Sequence, residues 1–258
     1  MMDHSPKIRP TLPAEKERAD CADLVDFIDL GAISYARAYV IQKETHERVV
    51  AARAPIGAPF SAKLRAGTVY FLEHDPAVVT VSRRIDARKN VLISQEQLAQ
   101  LGVQCVETDR GGDVTWHGPG QIVVYLILDL NRLGLRVNGY LRMLEGVVIE
   151  MLADFGVVGE RDPSATGVWV NGRKICAMGV RLSRWVSMHG IALNVNPDLR
   201  QFDLIVPCGL VGRGVTSLES ELSAKVPSLE EVKKSLEFRL NCALSAAGQA
   251  AAAAGEFS

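Results

Sequence analysis

No two of the five cysteines, at 21, 105, 176, 208 and 242, stand in a Cys-x-x-Cys pair, and their number is odd. That spacing speaks against a disulfide framework and against a zinc site, and it fits free thiols in a reducing cytoplasm. An excess of charge of either sign is also missing: 29 Lys and Arg stand against 30 Asp and Glu. The balance asks for neither nucleic acid nor an acidic membrane surface as a partner. The longest unbroken apolar run, Ile122 to Leu128, falls far short of the roughly 20 residues a membrane span needs. The opening "MMDHSPKIRPTLPAEKERAD" has no apolar core followed by a cleavage site, so no secretory signal is read there. Neither G-x-x-x-x-G-K-[ST] nor G-x-G-x-x-G occurs, which leaves no phosphate loop. These absences together predict a soluble, cytoplasmic protein.

What is present is an ordinary globular composition, 48% apolar over 258 residues, enough to fill a sizeable core. Residues 1–23 are rich in proline and charge and read as a flexible tail, and 246–258, which end in "GQAAAAAGEFS", read as a low-complexity tail. Without internal repeats or a long linker, 24–245 form one domain, of mixed α and β elements. Two short strands, "TVYFLEH" and "AVVTVS", are separated by the Asp75-Pro76 turn. A short helix follows from the Ser94 N-cap, with Gln97 completing a capping box and Gly102 at the stop, and then a strand through "VQCVET". "QIVVYLILDL" is apolar throughout, as a strand covered on both faces requires. Leu141, Leu144, Val148, Met151, Leu152 and Phe155 recur at helical spacing up to Gly156. Asn171-Gly172 marks a tight hairpin, in whose second strand Lys174, Cys176, Met178 and Val180 would share one face. A strand in "WVSMHGIALNV" and a helix capped by Ser228 and Glu231 close the domain.

Three places have the residue types for chemistry. The segment Arg110 to Gly120 packs four glycines and a proline into eleven residues directly before the apolar strand. A tight loop between strands is the plain reading, but glycines leave backbone N–H groups open to a ligand, and Arg110, Thr115 and His117 add a cation, a hydroxyl and an imidazole. Lys174 stands at a strand entrance, where a lysine is usually a solvated end charge. Turned inward beside a thiol, its ammonium would favour the thiolate and activate it as a nucleophile. Cys208 lies between Pro207 and Gly209, in a triplet unsuited to a regular helix or central strand. On such a turn, backbone N–H groups can hold the oxyanion formed when a thiolate attacks a carbonyl. Cys176, two residues from Lys174, competes for the nucleophile's role from a less suitable mid-strand position, whereas Cys105 and Cys242 read as small hydrophobes.

These pieces resemble the lipoyl(octanoyl)transferase family, also called lipoate-protein ligase B, over roughly Asp29 to Glu221. The resemblance rests on "RGGDVTWHGPGQIVVYLILDL", "GVWVNGRKICAMGV", "HGIALNVNPDL", and "FDLIVPCGL" followed by "VTSLE", in the family's order and spacing. "LGAISYARAYVIQ" and "FLEHDPAVVTVSRR" are similar to it as well. The resemblance implies a mixed α/β catalytic domain of the kind found in lipoate and biotin ligases, working without a cofactor or metal. It places the acyl-thioester cysteine on Cys208 and the lysine that lowers its pKa on Lys174. Its acyl-binding segments fall on Arg110, Gly111, Gly112, Asp113, Val114, Thr115, Trp116 and His117, on Ala177, Met178 and Gly179, and on Gly190, Ile191 and Ala192. Small residues at several of these positions leave room for a narrow apolar tunnel. The implied donor is octanoyl-acyl carrier protein, and the implied acceptors are lipoyl domains and the glycine-cleavage H-protein. Ser82 departs from the family, which usually has glycine there, and Arg83, Arg84, Arg88 and Lys89 form a basic cluster suited to an acidic carrier protein. Other readings stay open on sequence: an ATP-dependent lipoate-protein ligase, a cysteine hydrolase using His117 or His189 as base, or a non-catalytic paralogue that binds acyl groups or lipoyl domains.

Overall fold

A computed structural model describes residues 24–53, 65–206, 213–222 and 226–255. Among the described residues, ten strands divide between two sheets. The larger sheet contains β1 (Val25–Ile33), β2 (Gly67–His74), β6 (Gln121–Leu128), β7 (Glu160–Asp162), β8 (Ala165–Val170), β9 (Arg173–Ser183) and β10 (Val186–Asn194). Their order is β1-β2-β6-β10-β9-β8-β7, parallel only between β1 and β2. The smaller sheet sets β3 (Val78–Ser82) between β4 (Gln104–Thr108), parallel to it, and β5 (Val114–His117), antiparallel.

Strand β6 lies inside the larger sheet and is buried along its whole length, as its unbroken apolar run requires. Its residues divide by parity. Ile122, Val124, Leu126 and Leu128 join a core with helices α3 (Val137–Asp154), α4 (Leu218–Leu222) and α5 (Leu229–Gly255), while Val123, Tyr125 and Ile127 face α1 (Tyr35–Ala51). Val69 and Phe71 of β2 take the first side, Tyr70 and Leu72 the second. The smaller sheet has its own core, around Val79, Val81, Val114 and Trp116, closed by Leu98 of the short helix α2 (Gln95–Gln100).

The local signals behave as their chemistry dictates. Ser94 and Gln97 form both bonds of the capping box, and Ser228 and Glu231 do the same ahead of α5. Asn171 and Gly172 both have positive φ, 49° and 73°, the geometry of the two-residue turn that their pairing predicts. Two findings differ from expectation. Residues 246–255 continue α5 instead of forming a tail. Gly248 packs against Leu24 and Leu133, and Gly134 meets Ala251. In β9 the pairing slips between Val168↔Cys176 and Trp169↔Lys174, so strict alternation stops at Ile175, which joins Cys176 in the main core. The N-terminal residues 1–23 lie outside the described chain. No helix among the described residues is long and apolar enough to cross a membrane.

Candidate active site

A narrow, partly open cleft lies between the two sheets. Its walls come from both sheets: Arg110, Gly112, Asp113, Thr115 and His117 on one side, Ala177 to Gly179 and His189 to Ala192 on the other. Val123 and Tyr125 of β6 and Tyr35, at the start of α1, complete it. Eleven of the fourteen residues expected to bind an acyl chain therefore lie together. The other three do structural work nearby. Val114 and Trp116 belong to the core of the smaller sheet, and the Gly111 N–H donates to the Val180 carbonyl at 2.9 Å, clasping the loop to β9.

Glycine has a different purpose here from the one expected. A Cβ on Gly190 would collide with the Val124 carbonyl, and one on Gly179 would come within 2.7 Å of the Gly111 carbonyl. Both glycines admit a neighbouring backbone, and the space of the cleft lies elsewhere along these strands.

His117 and His189 line the cleft and His74 bonds to its Tyr125 hydroxyl, and burial holds all three below the usual imidazole pKa. His74 donates from Nδ1 to the Ile33 carbonyl at 3.1 Å and accepts at Nε2 from the Tyr125 hydroxyl at 2.8 Å. Its pKa falls to about 4 because burial disfavours the imidazolium. His189, in a left-handed conformation with φ 60°, donates from its backbone to Gln42 and from Nε2 to Asp109. Asp109 gathers that bond with others from Tyr39 at 3.0 Å and Arg181 at 2.5 Å. The His189 bond foremost, then Tyr39 and the Arg181 charge, hold its carboxyl well below the ordinary range against the opposing cost of burial. Burial also pushes the Tyr35 hydroxyl up to about 12. At neutral pH the imidazoles and phenols of the cleft are thus neutral, and its ionic groups are Arg110, Asp113 and the Asp109 cluster.

Between pH 6.5 and about 4, the unfolded chain binds a proton at His74 that the folded chain refuses, so stability falls on acidification through that window. For His74 alone the loss is on the order of 3 kcal/mol, and His117 and His189 add to it in the same direction. Urea unfolding at pH 7.5 and pH 4.5 should show that decline, and equal stability at both would contradict it.

Lys174 is no solvated end charge. Only 7% exposed, it donates from Nζ to the Thr166 carbonyl at 3.2 Å and lies 4.7 Å from the centroid of the Trp169 ring. Its backbone forms a parallel bridge with the segment Gly214–Thr216, donating to the Gly214 carbonyl and accepting from the Thr216 N–H, each at 3.0 Å. Cys208 lies outside the described residues. On one side the described chain ends at Val206, whose N–H donates to the Asn90 carbonyl at 2.8 Å; it resumes at Arg213, which stacks 3.7 Å from the Trp169 ring.

Cys176 is removed from contention as a nucleophile. It is fully buried, and desolvation pushes its thiol up to about 12 despite the Lys174 charge. Cys176→Ala should cost about 1–2 kcal/mol of stability through lost packing and leave any covalent acyl intermediate unaffected; disappearance of the intermediate in intact-protein mass spectra would contradict this.

The basic cluster is locally compensated, with Arg84 near Asp113 and Arg88 near Glu107, both at 3.8 Å, and Lys89 on Asp86 at 2.6 Å. Ser82 is buried, and its hydroxyl accepts from the Arg84 N–H at 3.3 Å. Tyr35, Thr80 and Tyr125 are cleft residues that sequence reasoning missed. Each carries a hydroxyl in an otherwise structural segment, and only the pairing of distant strands brings them together.

The model of the lipoyl protein ligase A/B catalytic domain matches residues 54–240. The octanoyltransferase of Christiangramia forsetii is 52% identical over 171 residues, covering 64% of this chain and 72% of that protein. That of Bacteroides fragilis is 43% identical over 221 residues, 84% of this chain and 96% of the relative. Among solved structures, lipoate-protein ligase A bound with ATP superposes with a TM-score of 0.60 at 12% identity, over 89% of this chain and 92% of that one. The bi-partite lipoate protein ligase of Thermoplasma acidophilum also gives 0.60, at 13% identity, covering 89% and 90%. At such identities these two structures establish a shared fold.

Proposed function

The chain belongs to the lipoyl protein ligase A/B catalytic-domain family and, within it, to the octanoyltransferases, and from that premise we propose a two-step acyl transfer through a thioester on Cys208. The enzyme is an acyltransferase that moves octanoyl to lipoyl proteins. The donor is octanoyl-acyl carrier protein, and the acceptor is a specific lysine of a lipoyl domain or of the glycine-cleavage H-protein. Lys174 supports this reading most. A buried ammonium favours an anion beside it, and the Lys174 backbone is bridged to Val215, where the described chain has resumed after Cys208.

In the first step the Cys208 thiolate attacks the thioester carbon, the bond to the pantetheine sulfur breaks, and octanoyl resides on the enzyme. The acyl group keeps its activation, so no ATP is consumed. In the second step the acceptor amine attacks, the Cys208–acyl bond breaks, and an octanoyl amide leaves. Lys174 favours the thiolate first and assists proton removal from the amine later. The cleft suits the acyl chain: Val123, Ala177, Met178, Ile191 and Ala192 give it an apolar lining, with polar groups at His117, Thr115 and Arg110.

The test is transfer to an isolated lipoyl domain from octanoyl-acyl carrier protein in nucleotide-free buffer. An octanoyl amide on the acceptor lysine is expected. Modification that requires ATP and free octanoate would instead identify an adenylating ligase.

A further inference from the structure

Gln121, the first residue of β6, is 1% exposed, belongs to no catalytic pair, and is the middle of a buried amide relay. The relay starts beside Lys174, at Thr216, whose N–H donates to the Lys174 carbonyl. The Thr216 carbonyl can only accept, so the Asn194 atom 3.0 Å from it is the Nδ2 donor. Asn194 Oδ1 must then accept from Gln121 Nε2, at 2.9 Å. The same Nε2 donates to the Trp116 carbonyl at 3.2 Å, which independently fixes the amide's orientation. Gln121 Oε1 is left facing His117 Nδ1 at 2.7 Å, and an amide oxygen only accepts. His117 must therefore carry its proton on Nδ1. Its ring lines the cleft and is kept neutral by burial, so Nε2 offers a bare lone pair.

We propose that Gln121, held by Asn194, is a positioning residue that locks His117 as a hydrogen-bond acceptor for the attacking amine. The inference rests on the acyl transfer proposed above and assigns the role of His117 within it. A thioester oxygen needs donors, which a bare Nε2 cannot supply, whereas an amine has N–H groups to give. Nε2 accepts one N–H and so aims the nitrogen lone pair at the thioester carbon. As the carbon–nitrogen bond forms and the carbon–sulfur bond breaks, the amine's surplus proton ends on the departing Cys208 sulfur, and His117 finishes neutral as it began. The titratable groups around His117 are His74 on β2, Arg110 ahead of β5 and His189 on β10, and Asp113 lines the same cleft.

Two measurements test the relay. In the wild type, nitrogen chemical shifts of His117 should report the Nδ1–H tautomer from pH 8 down to pH 5.5. This readout needs no acyl donor, so it stands apart from the success or failure of the transfer assay. An Nε2–H tautomer or an imidazolium in that range would overturn the proposal. Second, Gln121→Glu places a carboxylate against Nδ1–H, which raises the His117 pKa and lets a proton occupy Nε2. Transfer from the pre-formed acyl-enzyme to the lipoyl domain should then fall by about 10-fold at pH 6 and recover towards pH 8.5, while acyl-enzyme formation keeps its wild-type pH profile. A uniform loss at all pH values, or an equal shift in both half-reactions, would show that Gln121 serves the fold alone. Should the variant fail to fold, the wild-type tautomer decides the matter.

Discussion

Replacing Cys208 by alanine is expected to cut octanoyl transfer by about ten-thousand-fold or more, because the acyl group then has no enzyme atom on which to rest. Neither Cys176 nor Cys105 can take its place. Cys176 is sealed in the core with its thiol pushed up to about 12, and Cys105 is likewise raised by burial, in the smaller sheet. Pro207 and Gly209 flank a position without the apolar periodicity of a packed element, so the melting temperature should stay near that of the wild type. Initial rates with octanoyl-acyl carrier protein and a lipoyl domain make the comparison. Residual transfer within 10-fold of wild type would remove Cys208 from the reaction.

Lys174→Met should lower the transfer rate by about 100- to 10,000-fold, the range for loss of a positioned acid–base group. Methionine keeps much of the apolar stem that packs within 3.4 Å of the Cβ position on Gly167. The ammonium's bond to the Thr166 carbonyl is lost, at about 1–3 kcal/mol if that carbonyl stays dry. Rate and stability can be separated through the thiol. In the wild type, alkylation of Cys208 should rise with pH at a midpoint below the usual thiol value of about 8.5, and in the variant that midpoint should move up. A folded variant with an unmoved midpoint would show that Lys174 does not act on the thiol.

Wherever a rule acts locally, the chain could be read in advance. The Asn171-Gly172 turn, the capping boxes at Ser94 and Ser228, and the doubly buried β6 are each specified by neighbouring residues. Helix α1 was not legible as a helix because its buried face is polar. Gln42, Thr45 and His46 turn inward to satisfy His189, Tyr70 and the Ser183 carbonyl, partners at least 25 residues away. The alanine run after residue 246 was read by composition as a tail, although alanine is the strongest helix former and small side chains suit the close contacts at Gly134 and Gly248.

The candidate site was partly legible for the same reason. Arg110 to His117 stood out by glycine density, and Lys174 and Cys208 by placement and resemblance. The inward turn of Lys174 depends on the slipped pairing beside Trp169 and on its bridge to Val215, neither of which leaves a periodic trace. The relay from Thr216 to His117 joins residues 22, 73 and 4 positions apart, so no stretch of sequence contains it.

Intact-protein mass spectrometry after brief incubation with octanoyl-acyl carrier protein, without ATP or acceptor, tests the central claim most directly. The account predicts one octanoyl adduct on the wild type and on Cys176→Ala, released by hydroxylamine and absent from Cys208→Ala. An unmodified wild-type enzyme that still delivers octanoyl to a lipoyl domain, or an adduct that persists without Cys208, would contradict it.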